Sequence, residues 1–196
     1  CAAAAIAFLA LYLAHGINPA TTVALAGTLL SLAVITAMAL IAVELTHLSG
    51  LASEDAQALR VTASALDLRG LLVAGIVVGA LGVLDDVTVT QVSAVAALKR
   101  ANPRFSRIEL YREAIRVGRD HVASTVNTLV LAYAGATLPL VLLFSQGARS
   151  TGRIVTSEIV AVEVVRMLVG SIGLILAVPI TTALAAAVLT GREEIH

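Results

Sequence analysis

The sequence predicts an all-α, polytopic membrane protein with about five transmembrane helices and two amphipathic helices at the membrane surface. Three observations carry that expectation. Of 196 residues, 59% are hydrophobic and only 13% are charged, where a soluble domain has about a quarter charged. Apolar runs recur at lengths near the roughly 20 residues that a helix needs to cross the hydrocarbon core. Seven of the 13 basic residues (Lys99, Arg100, Arg104, Arg107, Arg112, Arg116 and Arg119) crowd into a single connection between two of those runs.

The whole chain, residues 1–196, reads as one transmembrane domain. A net charge of zero gives no case for a nucleic-acid partner. The single cysteine, Cys1, excludes an internal disulfide framework and any multi-cysteine metal site. His15, His47 and His196 fall in different connections, without the spacing of metal ligands. There is no glycine-rich phosphate loop and no nucleophile elbow, so neither a cofactor nor an enzymatic activity is expected.

The first apolar run, Ala2–Ala14, is short and already under way at the start, with no initiator Met. A fragment or processed product with an incomplete first helix is therefore expected. A mature lipoprotein can also begin on Cys, but a polyalanine start speaks against it. The basic segment of a signal peptide is missing.

The second run, Thr22–Leu45, is long and clean and ends near Glu44. The connection after it contains "SEDAQALRVTASALDLRG", in which Ser53 is a candidate N-cap and Leu59, Ala63 and Leu66 share a helical face. A short helix on the outer membrane surface is expected there. The third run, Leu71–Leu98, contains Asp85 and Asp86. The basic connection that follows includes "SRIELYREAIRVGRD", with Ile108, Tyr111 and Ile115 on one stripe. It reads as a basic amphipathic helix on the cytoplasmic leaflet, feeding the fourth run, Val122–Phe144. The fifth run, Met167–Leu189, follows a charged lead-in that begins around Ser157 and Glu158, and Glu163 and Arg166 are spaced for an ion pair at the outer edge. Pro139 and Pro179 lie inside the last two runs and are expected to kink them.

Basic residues in short loops stay in the cytoplasm, which places residues 99–119 inside. Alternation then puts Gly147–Arg153 and Thr46–Arg69 outside. It puts His15–Thr21 and the tail with Arg192 inside, and the N-terminus outside.

The acidic pair raises the chemical question. At 1.5 Å per residue, Asp85 is about 24 Å from Arg69 and about 21 Å from Lys99, near the midplane of a continuous helix. The alternative ends the membrane at Leu84 and lets Asp85 cap a helix over Val87–Leu98. That leaves about 14 residues to span, which is too few. A charge at the membrane centre costs at least roughly 2.5–3.5 kcal/mol. It persists by facing a polar interior or by taking up a proton, and a carboxylate able to do either is a proton switch. Adjacent helical residues diverge by about 100°, so Asp85 and Asp86 cannot face one partner.

Polar neighbours continue below the pair as Thr88, Thr90, Gln91 and Ser93, and the fourth run offers Ser124, Thr125, Asn127 and Thr128. Asn and Thr can hydrogen-bond either state of a carboxyl, which makes Asp85, Asp86, Asn127, Thr125 and Gln91 the candidate relay. The competing reading is interhelical glue. Gly75, Gly79 and Gly82 form a small-residue face suited to close helix contact near the acids. Asp120 and His121 lie near the cytoplasmic boundary, and His121 is read as an interfacial histidine or a proton partner of the acids.

Three blocks, "GALGVLDDVTVTQVSAVAALKRANP", "GRDHVASTVNTLVLAYAGATLPLVLLF" and "SEIVAVEVVRMLVGSIGLILAVPITTALAA", resemble the YibE/F family of bacterial multi-pass membrane proteins. More distantly, the glycine-flanked run ending in Asp-Asp, followed by a Thr/Asn-rich helix ending in Leu-Pro, is similar to the central module of RND-type exporters and of SecD and SecF. That resemblance implies a half bundle in the bacterial inner membrane and a proton or sodium-ion role for Asp85 and Asp86, with Thr125 and Asn127 on the next helix. RND exporters pair their acids with a lysine in the other half, whereas no span here contains lysine. Five spans match half a transporter, so a homodimer in membrane lipid is expected.

Three functions compete. The first is transport of an unknown substrate coupled to proton or cation movement. The second is a non-transporting scaffold whose polar residues only join helices. The third, an intramembrane aspartyl protease, needs two carboxylates converging from different helices. Asp120, about seven residues below Asn127, is too near the interface to supply the second.

Overall fold

The computed structural model describes residues 2–52, 54–63, 65–146 and 157–191. Cys1, the Ser53 cap, the connection Gly147–Arg153, Arg192 and His196 lie outside the described residues. Among those described, the chain is all-helical: α1 (Ala2–His15), α2 (Pro19–Leu45), α3 (Glu54–Thr62), α4 (Leu68–Ala101), α5 (Arg107–Gln146) and α6 (Glu158–Gly191). Three of them, α2, α4 and α6, are long and apolar enough to cross a membrane. At 1.5 Å per residue α4 is about 51 Å long, well beyond the ~30 Å hydrocarbon core.

Local chemistry sets the ends. Asn18 caps α2 by accepting the Thr21 N–H at 2.8 Å, and Pro19 takes the first turn, where its missing N–H costs nothing. Asp67 caps α4 by accepting the Arg69 N–H at 3.1 Å. α5 opens on a reciprocal box: Ser106 N–H and Oγ both donate to Glu109, and Ser106 Oγ accepts the Glu109 N–H. The Ser106 hydroxyl and N–H hold the Glu109 carboxyl below the usual carboxylate range.

The helices α2, α4 and α6 pack against one another, α5 lies across α4 and α6, and α1 leans on α2 and α4. Ile35, Ile76, Leu84 and Leu174 are almost fully buried where the three central helices meet. A smaller cluster, with Val95, Leu110, Ala114 and Ala185, closes the other end. Close approach is achieved by glycines the sequence reading passed over. A Cβ at Gly173 would strike Ile35, one at Gly27 would strike Thr181, and one at Gly118 would strike Gln91 and Val178. In the terminal turns of these helices, Glu44 on α2 meets Arg69 on α4 at 3.8 Å. Glu158, at the start of α6, accepts the Ser49 N–H, the Ser49 hydroxyl and the Gly50 N–H at 2.6–3.0 Å, tying the α2–α3 connection to α6.

Three expectations change. The short helix α3, expected at a membrane surface, ends at Thr62, so Ala63 and Leu66 are not on it and the expected face is not formed. The basic segment is not a separate helix lying on a leaflet. It is the first third of α5, running unbroken into the apolar part. Its buried stripe is Leu110, Ala114 and Gly118, flanked by Tyr111 and Ile115, while Ile108 is 64% exposed. The small residues win because α5 must come close enough for Gln91 on α4 to reach the Ala114 carbonyl, at 2.9 Å. Pro139 and Pro179 both lie within continuous helices.

Candidate functional site

Asp85 and Asp86 sit mid-way along α4 and point apart. Asp85 is half-buried toward α2, whereas Asp86 is 71% exposed toward α5.

On the Asp85 side the interior is polar. Thr28 of α2 and Thr88 of α4 are fully buried, and their hydroxyls meet at 2.8 Å. Thr88 also donates to the Asp85 carbonyl at 3.1 Å, and Thr28 adjoins the Asp85 carboxyl. Asp85 Oδ1 is buried without a hydrogen-bond partner, as are the hydroxyls of Ser31 and Thr181. Thr181 faces Gly27, so these orphaned atoms flank the Thr28–Thr88 pair. One turn below, Gln91 is 2% exposed and donates to Ala114 O and, at 2.6 Å, to Thr182 Oγ1, which in turn donates to Val178 O. Buried polar groups are normally satisfied, and an orphaned carboxylate oxygen beside orphaned hydroxyls is the pattern of a place that takes up a proton, an ion or water.

On the Asp86 side a groove of about 400 Å³ runs between α4 and α5, lined by Gly82, Asp86, His121, Ser124, Thr125 and Thr128. His121 Nε2 lies 3.9 Å from Asp86 Oδ2 and has no hydrogen-bond partner. Thr125 and Thr128 donate to carbonyls of their own helix, His121 O and Ser124 O. Gly75, Gly79 and Gly82 are exposed along the same face. Nothing lies within 4 Å of a Cβ placed on Gly75 or Gly82, and Gly79 meets only the Tyr133 hydroxyl. Within this chain, then, the three glycines do not bring helices together.

The predicted relay is thus divided. Gln91 lies nearly two turns below Asp85 in the interior, Thr125 lines the Asp86 groove, and Asn127 is exposed and belongs to neither. Glu163 and Arg166 form their ion pair at 2.9 Å, with Arg166 above the Tyr133 ring. The residues missed from sequence are Thr28, Ser31, Thr181 and Thr182. Their signal was the i,i+3 spacing of two hydroxyls in α2 and a Thr-Thr step just after Pro179.

The pairing of α5 with α4 also moves the acids. His121 faces Asp86 and Ala114 faces Gln91, so Arg116, Arg119 and Asp120 flank α4 within about two turns beyond the acids. The apolar zone that starts at Glu44 and Arg69 therefore ends near Arg119, well short of Lys99. Asp85 lies about 24 Å from Arg69, nearer the basic end than the midpoint.

Among the described residues no cluster of three or more His, Cys, Asp or Glu could hold a metal ion. A family model described as YibE/F-like protein matches residues 1–191. The chain belongs to the YibE/F family. No curated protein and no solved structure matches it. Membership and the apolar helices together make this YibE/F chain a membrane protein.

Proposed function

We propose that this chain is a transport protein of the bacterial inner membrane, coupled to proton or cation movement, with Asp85 as the working acid. One observation carries the reading: a half-buried carboxyl with an orphaned oxygen, set against the buried Thr28–Thr88 hydroxyl pair. Either hydroxyl of that pair can donate, so the surroundings can serve a carboxylate or a carboxylic acid without rearranging helices. Cost points the same way. A carboxylate inside the apolar zone is expensive, and a purely structural role is filled more cheaply by the satisfied Gln91 next to it.

In this reading α1, α2, α4, α5 and α6 are the five spans, residues 99–119 and the C-terminus are cytoplasmic, and the bundle is half of an RND- or SecD/SecF-like transporter. Asp86 and the open glycine face of α4 then meet a second copy. Lipid tails cannot satisfy an exposed carboxylate, and small residues let two backbones approach.

The test is a proteoliposome assay with a pH step. Wild-type protein should dissipate the step and Asp85→Asn should not, with expression and thermal stability retained. If the substitution leaves flux intact but lowers stability, the polar residues are fasteners and the chain is a scaffold.

A further inference from the structure

We propose that His15, which lines a cavity reaching to about one helical turn from Asp85, is the group through which protons reach and leave that carboxyl from the α1–α2 side. The proposal rests on Asp85 being the working acid and deepens that reading by naming its port.

The turn that carries His15 is firmly built. Gly16 ends α1 at φ 71°, where its N–H donates to Tyr12 O at 3.0 Å. Asn18 donates its side-chain amide to His15 O at 3.0 Å while capping α2, and the Tyr12 and Thr22 hydroxyls meet at 3.1 Å. These contacts hold His15 beside a cavity of about 150 Å³ between this turn and α4, whose polar lining is His15, Asn18, Thr21 and Ser93. A water occupies about 30 Å³ in the liquid, so several fit.

Ala24 and Val89 also line the cavity. Ala24 precedes Thr28 by one turn and Val89 follows Asp85 by one turn, so this part of the lining lies about 5.4 Å along the helices from the acid. In the inward step an imidazolium N–H bond breaks, the proton crosses on cavity water, and an O–H bond forms on the Asp85 carboxylate. The neutral imidazole recharges from solvent, and the reverse order releases the proton. Imidazole suits both directions because one ring nitrogen can donate while the other accepts.

Other ionisable groups do not compete on this side. Tyr12 is bonded to Thr22. α2 has no ionisable residue between Pro19 and Val43, and α6 has none between Met167 and Gly191. On α4, Asp86 turns toward α5, where Asp120 and His121 also belong to the far side, and Lys99 and Arg100 lie beyond Ser93, with Lys99 donating to Pro103 O at 2.6 Å. His15 is the one ionisable side chain lining the cavity among the described residues.

In proteoliposomes of the full chain, His15→Gln should slow flux driven by a pH step by about a hundredfold, the low end of what a positioned proton-transfer group contributes. Free imidazole should restore most of the rate, and His47→Gln should match wild type. A His15→Gln rate equal to wild type, or a loss that imidazole does not rescue, overturns the port. If Asp85→Asn abolishes flux and His15→Gln does not, the port alone fails; if Asp85→Asn has no effect, the transport reading fails with it. A measurement independent of flux uses Ser93→Cys in a Cys1→Ala background. A charged, membrane-impermeant thiol reagent should modify it from the His15 side, and an inert Cys at 93 would overturn the water-filled cavity.

Discussion

Two carboxylates one residue apart on α4 meet opposite surroundings. Asp85 turns into a closed seam of buried hydroxyls between α2, α4 and α6, and Asp86 turns onto an open groove with exposed glycines above it. The roughly 100° step between neighbours on a helix produces the divergence. What it teaches is that a paired motif need not be a paired site: one acid can work while its neighbour faces a partner.

The sharpest way to break this contrast is to neutralise each acid alone. Asp85→Asn should cut ion flux about a hundredfold, as the loss of a positioned proton carrier does. Asp86→Asn should keep most of the flux and instead shift the monomer–dimer balance, read by cross-linking in membranes. Equal losses from the two variants would erase the distinction.

Glycines sharpen it next. Gly118→Val pushes into Gln91 and Val178, and overpacking of that kind costs about 1–3 kcal/mol, measurable as a lower unfolding midpoint in detergent. Gly82→Ala meets nothing and should stay within about 0.5 kcal/mol of wild type. Gly82→Leu, too large for a helix–helix seam, should weaken self-association without unfolding the protein.

A smaller effect separates the two amides named as relay candidates. Gln91→Leu removes the bonds to Ala114 O and Thr182 and should cost about 1–2 kcal/mol. Asn127→Leu, on the exposed face of α5, should change neither stability nor flux.

The smallest effect lies outside the spans. Glu109 has a lowered pKa because it accepts from Ser106, so the stabilisation it brings to the start of α5 is present above its unfolded pKa and is lost as pH falls through the lower folded value. Ser106→Ala should therefore be less stable than wild type at neutral pH, with the difference shrinking in acid as Glu109 protonates.

Much of this was readable in the sequence. The apolar runs located α2, α4 and α6, the three helices long and apolar enough to cross a membrane, and helical geometry alone required Asp85 and Asp86 to separate. The Glu163–Arg166 pair followed from its spacing. What could not be read was which neighbour each acid meets. A helix apolar on nearly all sides carries little directional signal, so nothing told that Asp85 faces Thr28 on α2 rather than Asn127 on α5. Hydroxyls such as Ser31, Thr181 and Thr182 pass as background in an apolar run until packing brings them together. The α5 stripe departs from expectation for a related reason. Side-chain size predicts Ile108, Tyr111 and Ile115 as the inward face, whereas Ala114 and Gly118 face inward because α5 packs so close to α4.

The central claim is that Asp85, not Asp86, is the acid that changes protonation. Infrared difference spectra of the reconstituted protein across a pH step test it most directly. The account predicts a carboxylic-acid carbonyl band that disappears in Asp85→Asn and persists in Asp86→Asn; a band lost only in Asp86→Asn, or one that survives both substitutions, would contradict it.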